Sequence, residues 1–152
     1  MHSGIDTVEI SRIEKLLDDL DEAALGDFFS AEELNDAGKG SGPARAQKLA
    51  ARFAAKEACC KLFPKEICLG AIEPYDFSVS RDGYGQPGIV ASERARAVMN
   101  RHRVARISLS MTHTETSATA IASIKPEQMI VPWYGKLIYH VLPLRRHVVM
   151  EN

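Results

Sequence analysis

The spacing of hydrophobic positions changes several times along the chain, and each change marks a predicted element. Residues 3–8 are typical of a short strand, and from Val8 to Leu20 the apolar positions follow helical spacing. Alternation typical of half-buried strands returns in three later runs: 75–80, 104–114 and 117–124. The last two runs predict an antiparallel hairpin. Short strands and helices that do not alternate regularly indicate an α+β fold rather than a doubly wound sheet.

The longest predicted helix lies between Pro43 and Pro64 and spans about five turns. One half of its surface carries small side chains, because a step of about 100° per residue groups Ala54, Ala55, Ala58 and Cys59. That half predicts close packing against a sheet or another helix. The other half carries all of the charges together with larger side chains: Arg52, Phe53, Lys56, Glu57, Cys60 and Lys61.

The charged half of this helix has two interpretations. Three cations suit a phosphorylated substrate, and the single carboxylate of Glu57 suits a metal that shares this substrate. Alternatively, this half faces water, and Glu57 and Lys61 form an ordinary i,i+4 pair that stabilises the helix by roughly a few tenths of a kcal/mol. Asp6 is also open to two interpretations. It lies where a predicted strand ends and a predicted helix begins, so its carboxylate either caps the helix or points into a cleft as a metal ligand.

Three other segments complete the predicted order of elements. Ser30 and Glu33 fit a capping box that begins another helix, which gives both residues a structural role. Residues 65–74 predict no regular structure. A short strand at 88–91 and a helix at 91–102 follow the first run of alternation.

Composition indicates a soluble globular domain. The chain has 152 residues, 45% hydrophobic content and a net charge of −1, so it lacks the global basic field that nucleic acid or an anionic membrane would require. We expect no membrane span and no signal peptide. The three cysteines are Cys59, Cys60 and Cys68, and their spacing supports neither a disulfide framework nor a zinc site. Reduced thiols in the cytoplasm, with structural roles for Cys59 and Cys60, are the expectation.

Several separated motifs resemble those of the acyl carrier protein synthases. The segment from Gly4 to Ile13 resembles their opening motif, and Phe29–Glu33 resembles their Phe-[Ser/Thr]-x-x-Glu segment. The most specific similarity is the string Arg52-Phe53-Ala54-Ala55-Lys56-Glu57-Ala58, with Lys61 four positions after the glutamate. Thr112-His113-Thr114 and Gly85-Gln86-Pro87 resemble two shorter signatures. The chain departs from the family at Pro64–Ile67, where a glycine-containing loop is usual, and at Thr112, where serine is usual.

The resemblance implies an α+β fold of the 4′-phosphopantetheinyl transferase type, with a small antiparallel sheet packed against a long central helix. It implies Mg²⁺-dependent transfer of phosphopantetheine from coenzyme A to a serine of an acyl carrier protein, in the cytoplasm and within fatty acid and lipid metabolism. It also implies a homotrimer with active sites at the subunit interfaces. The similarity ends near residue 124, so residues 1–125 are predicted to be the transferase domain. Residues 126–152 are predicted to be an extension packed on this domain or on a neighbouring subunit.

The resemblance also assigns roles to individual residues. Asp6 and Glu57 match the metal ligands, and Glu57 would take the serine proton directly or through a water molecule held by the metal. Lys61 would neutralise phosphate oxygens and assist the leaving group. Arg12 lies at the position that docks the acidic carrier protein. The predicted coenzyme A contacts are Arg52, Lys56, Lys61, Gly85, Pro87 and His113.

Two other functions use the same features differently. A non-catalytic module that binds coenzyme A or a carrier protein would not need both Asp6 and Glu57, and both are present. An oligomeric structural protein would not need three cations around Glu57. The transferase therefore explains more of the residues than either alternative.

Overall fold

Two antiparallel sheets and one long helix form the framework of the chain. The structure is a computed structural model that describes residues 2–68 and 70–124. Its helices and strands, in chain order, are β1 (His2–Glu9), α1 (Ile10–Asp19), α2 (Glu22–Leu25), α3 (Ala31–Ala37), α4 (Pro43–Cys60), α5 (Lys65–Cys68), a 3₁₀ turn (Pro74–Asp76), β2 (Phe77–Arg81), β3 (Pro87–Ala91), α6 (Glu93–Arg101), β4 (Ile107–His113) and β5 (Ser117–Ile124). The predicted α+β class and the long central helix are confirmed.

The larger sheet has the strand order β1-β5-β4, so the first strand pairs with the last described strand. The predicted hairpin is confirmed as the antiparallel pair β4 and β5. In the register of the sheet, Asp6 of β1 lies opposite Ala120 of β5, which lies opposite Met111 of β4. Among the residues that the structure describes, the second sheet has two strands, β2 and β3.

Helix α4 packs on the larger sheet, and small side chains form the contact on both the helix and the sheet. Ala54, Ala55 and Ala58 are fully buried, as are the alanines at alternate positions of β5. The closest approach is at Gly4, where an added Cβ would lie 2.1 Å from the carbonyl oxygen of Ala58. Real Cβ atoms do not approach an oxygen so closely, so only glycine lets β1 lie this close to α4. The predicted small half of the helix is confirmed.

The structure corrects three predictions about local structure. Asp6 does not cap α1, because it lies inside β1 while Glu9 occupies the N-cap position without a side-chain cap. Residues 65–74 are not irregular, since they contain α5 and begin the 3₁₀ turn. The strand predicted at 75–80 begins two residues later, because Tyr75 and Asp76 belong to that turn.

Within residues 2–68 and 70–124, no helix combines the length and the apolar character that a membrane span needs. The predicted extension at 126–152 lies outside the described residues.

Candidate active site

Strand β1 and helix α4 bring Asp6, Glu57 and Lys61 together. Lys61 follows the last residue of α4 and lies one turn after Glu57, on the same face of the helix. Its ammonium group donates hydrogen bonds to Asp6 Oδ1 at 2.7 Å and to the carbonyl oxygen of Ile5 at 3.1 Å. The close packing of Gly4 on Ala58 fixes this end of β1 against the helix. Two acidic residues that are about fifty positions apart in the sequence thus share one site.

The charge of Asp6 acts on Glu57 across this site. Burial raises the pKa of Glu57, and the negative charge of Asp6 raises it further. Lys61 and Arg12 lower the same pKa but do not offset the other two effects. Two carboxylates that repel each other in a half-buried site are stabilised when a cation joins them.

The donor set fits Mg²⁺ that is shared with a substrate. Mg²⁺ takes oxygen ligands, usually one or two carboxylates completed by water and phosphate oxygens. Asp6 and Glu57 supply two carboxylates, and Lys61 contacts only one oxygen of Asp6. In the part of the chain that the structure describes, no group of three or more His, Cys, Asp or Glu side chains is arranged to hold a metal. An ion bound here therefore needs oxygens from a ligand.

Arg12 lies beside this site on the exposed face of α1. Its guanidinium carbon lies 5.0 Å from the ring centroid of Phe53, which is part of α4. This cation–π contact places a positive charge on the surface close to Glu57, where it lowers the pKa of that carboxyl.

An apolar cavity of about 250 Å³ borders Glu57. Its hydrophobic walls come from Phe28, Phe53, Pro74 and Tyr75. Asp27, Lys56 and Glu73 also line it, so its rim carries charges of both signs. The cavity suits an apolar group that must approach Glu57.

Arg52 and Lys56 do not surround Glu57, in contrast to the prediction for the charged half of α4. Arg52 is 1% exposed, forms an ion pair with Asp36 and donates to the carbonyl oxygen of Lys48 at 2.9 Å. Lys56 is 2% exposed and its ammonium group lies 2.7 Å from a carboxylate oxygen of Glu33. The cations that act on Glu57 are Lys61 and Arg12 instead. Sequence patterns assign Glu33 only a capping role, because its partner Lys56 lies 23 positions away in the chain.

Both cysteines of α4 have the structural surroundings that the sequence predicts. Cys59 and Cys60 are buried, and burial raises the pKa of Cys60 to about 12. Burial also raises the pKa of Cys59. Thiols of this kind stay protonated and are poor nucleophiles at neutral pH.

The sequence of the chain also matches a known family. The model of the 4′-phosphopantetheinyl transferase superfamily matches residues 3–122. The chain belongs to this superfamily. The holo-[acyl-carrier-protein] synthase of Treponema denticola is 40% identical over 125 residues, which cover 80% of this chain and 95% of that protein.

Solved structures of the phosphopantetheinyl transferase superfamily share the fold. A holo-[acyl-carrier-protein] synthase from Neisseria meningitidis has a TM-score of 0.67 and 26% identity, and the match covers 82% of this chain and 97% of that chain. The Helicobacter pylori enzyme, solved in complex with coenzyme A, has a TM-score of 0.64 and 25% identity over 81% of this chain and 99% of that chain. The phosphopantetheinyl transferase-like fold expected from the sequence is confirmed.

The other predicted coenzyme A contacts of this superfamily member lie on different elements. Gly85 has a φ of 81° in the turn between β2 and β3, and Pro87 begins β3. Pro87 lines a second cavity of about 470 Å³, together with Arg81 and Arg106, and neither Gly85 nor Pro87 lines the cavity beside Glu57. His113 is exposed at the end of β4. Their roles as coenzyme A contacts stay predictions.

Proposed function

We propose that this chain transfers the 4′-phosphopantetheine group of coenzyme A to a serine of an apo acyl carrier protein, with adenosine 3′,5′-bisphosphate as the second product. The observation that carries the proposal is the convergence of Asp6 and Glu57 with Lys61 at the contact between β1 and α4. The relative from Treponema denticola is named a holo-[acyl-carrier-protein] synthase, and the Helicobacter pylori enzyme binds coenzyme A. Both names support the same reaction.

The residues of the site fit the steps of this transfer. The serine oxygen forms a bond to the phosphorus that carries the pantetheine arm, and the bond from this phosphorus to the oxygen of the leaving nucleotide phosphate breaks. Glu57 accepts the serine proton, directly or through a water molecule. Lys61 donates hydrogen bonds to phosphate oxygens and stabilises their charge. When bound by Asp6 and Glu57, Mg²⁺ would neutralise the charge of the diphosphate.

Arg12 is proposed as the docking residue for the carrier protein. It is exposed and sits on Phe53, next to the cavity that borders Glu57. A fixed positive charge at this position would attract the acidic carrier that the family resemblance implies and would increase the rate of encounter.

The active form is proposed to be a homotrimer in the cytoplasm. The face of the larger sheet that points away from α4 exposes two isoleucines that are register partners, Ile5 at 59% and Ile121 at 46%. Neighbouring copies would cover this apolar pair. Contacts between copies would also explain why Gly85, Pro87 and His113 lie apart from Glu57 in one chain, since residues of two subunits would then complete each site.

A direct assay tests the proposed function. The purified chain, coenzyme A and Mg²⁺ are incubated with a panel of apo carrier proteins, and the mass of each carrier is measured. We expect one carrier to gain the mass of phosphopantetheine with the wild-type chain and not with Glu57→Gln. The proposal is refuted if Glu57→Gln transfers as fast as the wild type or if no carrier gains mass.

A further inference from the structure

The buried ion pair between Lys56 and Glu33 has no role in the transfer steps described above. Lys56 is 2% exposed and Glu33 is fully buried, and their charged atoms lie 2.7 Å apart. Removing two charges from water is costly, and apolar replacements of such pairs are often neutral or stabilising. Stability therefore does not explain why charges occupy this position.

The hydrogen bonds of the pair connect four segments of the chain. One carboxylate oxygen of Glu33 accepts from the backbone N–H of Ser30 at 2.8 Å, and the other accepts from the N–H of Val79 in β2 at 2.9 Å. The ammonium group of Lys56 donates to the carbonyl oxygen of Phe28 at 2.7 Å. The segment between α2 and α3 is thus held to α4, α3 and β2 by directional bonds, which apolar packing would not supply.

The segment held in this way forms a wall beside the active site. Lys56 immediately precedes Glu57 on α4, and Phe28 lines the same cavity as Glu57. Phe53 forms the adjoining wall and carries Arg12 on its outer side. The bond from Lys56 to Phe28 therefore fixes the distance between the wall and the helix that carries Glu57.

We propose that Lys56 is a positioning residue that, together with Glu33, holds Phe28 in place so that the segment of the carrier that bears the acceptor serine can approach the cavity beside Glu57. This inference rests on the proposed function. The carrier is the substrate expected here, because Glu57 borders the cavity and is the proposed acceptor of the carrier's serine proton. It also adjoins Arg12, the proposed docking residue, through Phe53.

The test uses a double variant that removes the charges without leaving one unpaired. In Lys56→Met/Glu33→Gln, the single amide oxygen of Gln can accept from Val79 or from Ser30 but not from both, and the bond to Phe28 is lost. A matched control is Arg45→Met/Glu22→Gln, which removes another ion pair of α4. Residue 45 lies eleven positions before Lys56, which is roughly 16 Å along the helix.

We expect the double variant to raise the KM for the carrier about tenfold, with kcat within about twofold and the KM for coenzyme A unchanged. The control should change none of these constants. Amide hydrogen exchange provides a readout without activity, and the protection of Ser30 should fall in the double variant only. An unchanged carrier KM, or a KM that rises for coenzyme A instead, would overturn the proposal.

Phe28→Ala keeps the inference testable if the double variant does not fold. This substitution removes the wall itself and leaves the ion pair intact, so it should raise the carrier KM to a similar extent. A wild-type carrier KM in Phe28→Ala would contradict the inference. The transfer by the wild-type chain is measured separately, so a failure of the proposed function is distinguishable from a failure of this positioning role.

Discussion

Replacing Glu57 by Gln should stabilise the folded chain when no divalent cation is present. The pKa of Glu57 is raised from its ordinary value of 4.5 by burial and by Asp6, so the folded chain holds this proton more tightly than the unfolded chain. The stability from this proton is present below about pH 4.5 and is lost as the pH rises through the raised pKa. At neutral pH the ionised Glu57 therefore destabilises the fold relative to Gln. The difference should shrink as the pH falls towards 4.

The expected gain is small but measurable. One unit of pKa corresponds to about 1.4 kcal/mol, and partial exposure of Glu57 reduces the effect, so we expect less than about 1 kcal/mol in the free energy of unfolding. For a domain of this size, such a change raises the Tm by roughly 2–4 °C. Glu66→Gln is a suitable control, because Glu66 is exposed on α5 and should leave the Tm unchanged.

With Mg²⁺ present, the wild type should become more stable than Glu57→Gln. A ligand at about one hundred times its Kd stabilises the folded state by about 2.7 kcal/mol, and the Gln variant loses one of the two carboxylates that would bind it. The assay is thermal unfolding at pH 7.5 with and without Mg²⁺, repeated with coenzyme A present to supply phosphate oxygens. Without Mg²⁺, Glu57→Gln should unfold at a higher temperature than the wild type. With Mg²⁺ and coenzyme A, the wild type should unfold at the higher temperature. Equal responses to Mg²⁺, or a variant that is less stable without it, would refute the shared carboxylate site.

Three further predictions follow from single contacts. Gly4→Ala should lower the free energy of unfolding by about 1–3 kcal/mol in urea titrations, because the new Cβ meets the carbonyl oxygen of Ala58. The control Gly83→Ala adds a Cβ in open space and should change this free energy little. Arg12→Gln should raise the pKa of Glu57 and move the acid limb of the rate profile to higher pH, and it should also raise the KM for the carrier and weaken its salt dependence. Ile121→Glu should dissociate the proposed trimer, as measured by sedimentation, and reduce transfer with it. A variant that stays trimeric would show that this face is not the interface.

The sequence predicts those elements whose signal is local. The hairpin of β4 and β5, the capping box at Ser30 and the long helix α4 all depend on residues within a few positions of one another, and all three are confirmed. The half of α4 that carries small side chains can also be predicted locally, because its positions recur with the helical period. The 3₁₀ turn at Pro74–Asp76 is missed because Asp76 closes a capping arrangement with Glu73 and interrupts the alternation that suggested a longer strand.

Partners that are distant in sequence are not predictable from the period of one element. Lys56 and Arg52 lie on the half of α4 that carries Glu57, and nothing near them in the chain reveals that Glu33 and Asp36 bind them. Likewise, the alternation of β1 shows that it is a strand but does not identify β5 as its neighbour. The family resemblance names Asp6 and Glu57 together, whereas only the packing explains why they meet.

That packing depends on one position without a side chain. Because Gly4 lets β1 lie against the carbonyl of Ala58, Asp6, two residues later on the same face of the strand, reaches Lys61 and the face of α4 that carries Glu57. A wider separation of strand and helix would lower the repulsion between the carboxylates and would also remove their ability to share one cation. Burial raises the pKa of Glu57 most, and the nearness of Asp6, which the proposed metal site requires, raises it further. The repulsion between Asp6 and Glu57 and the affinity for a shared cation should therefore fall together in any variant that moves β1 away from α4.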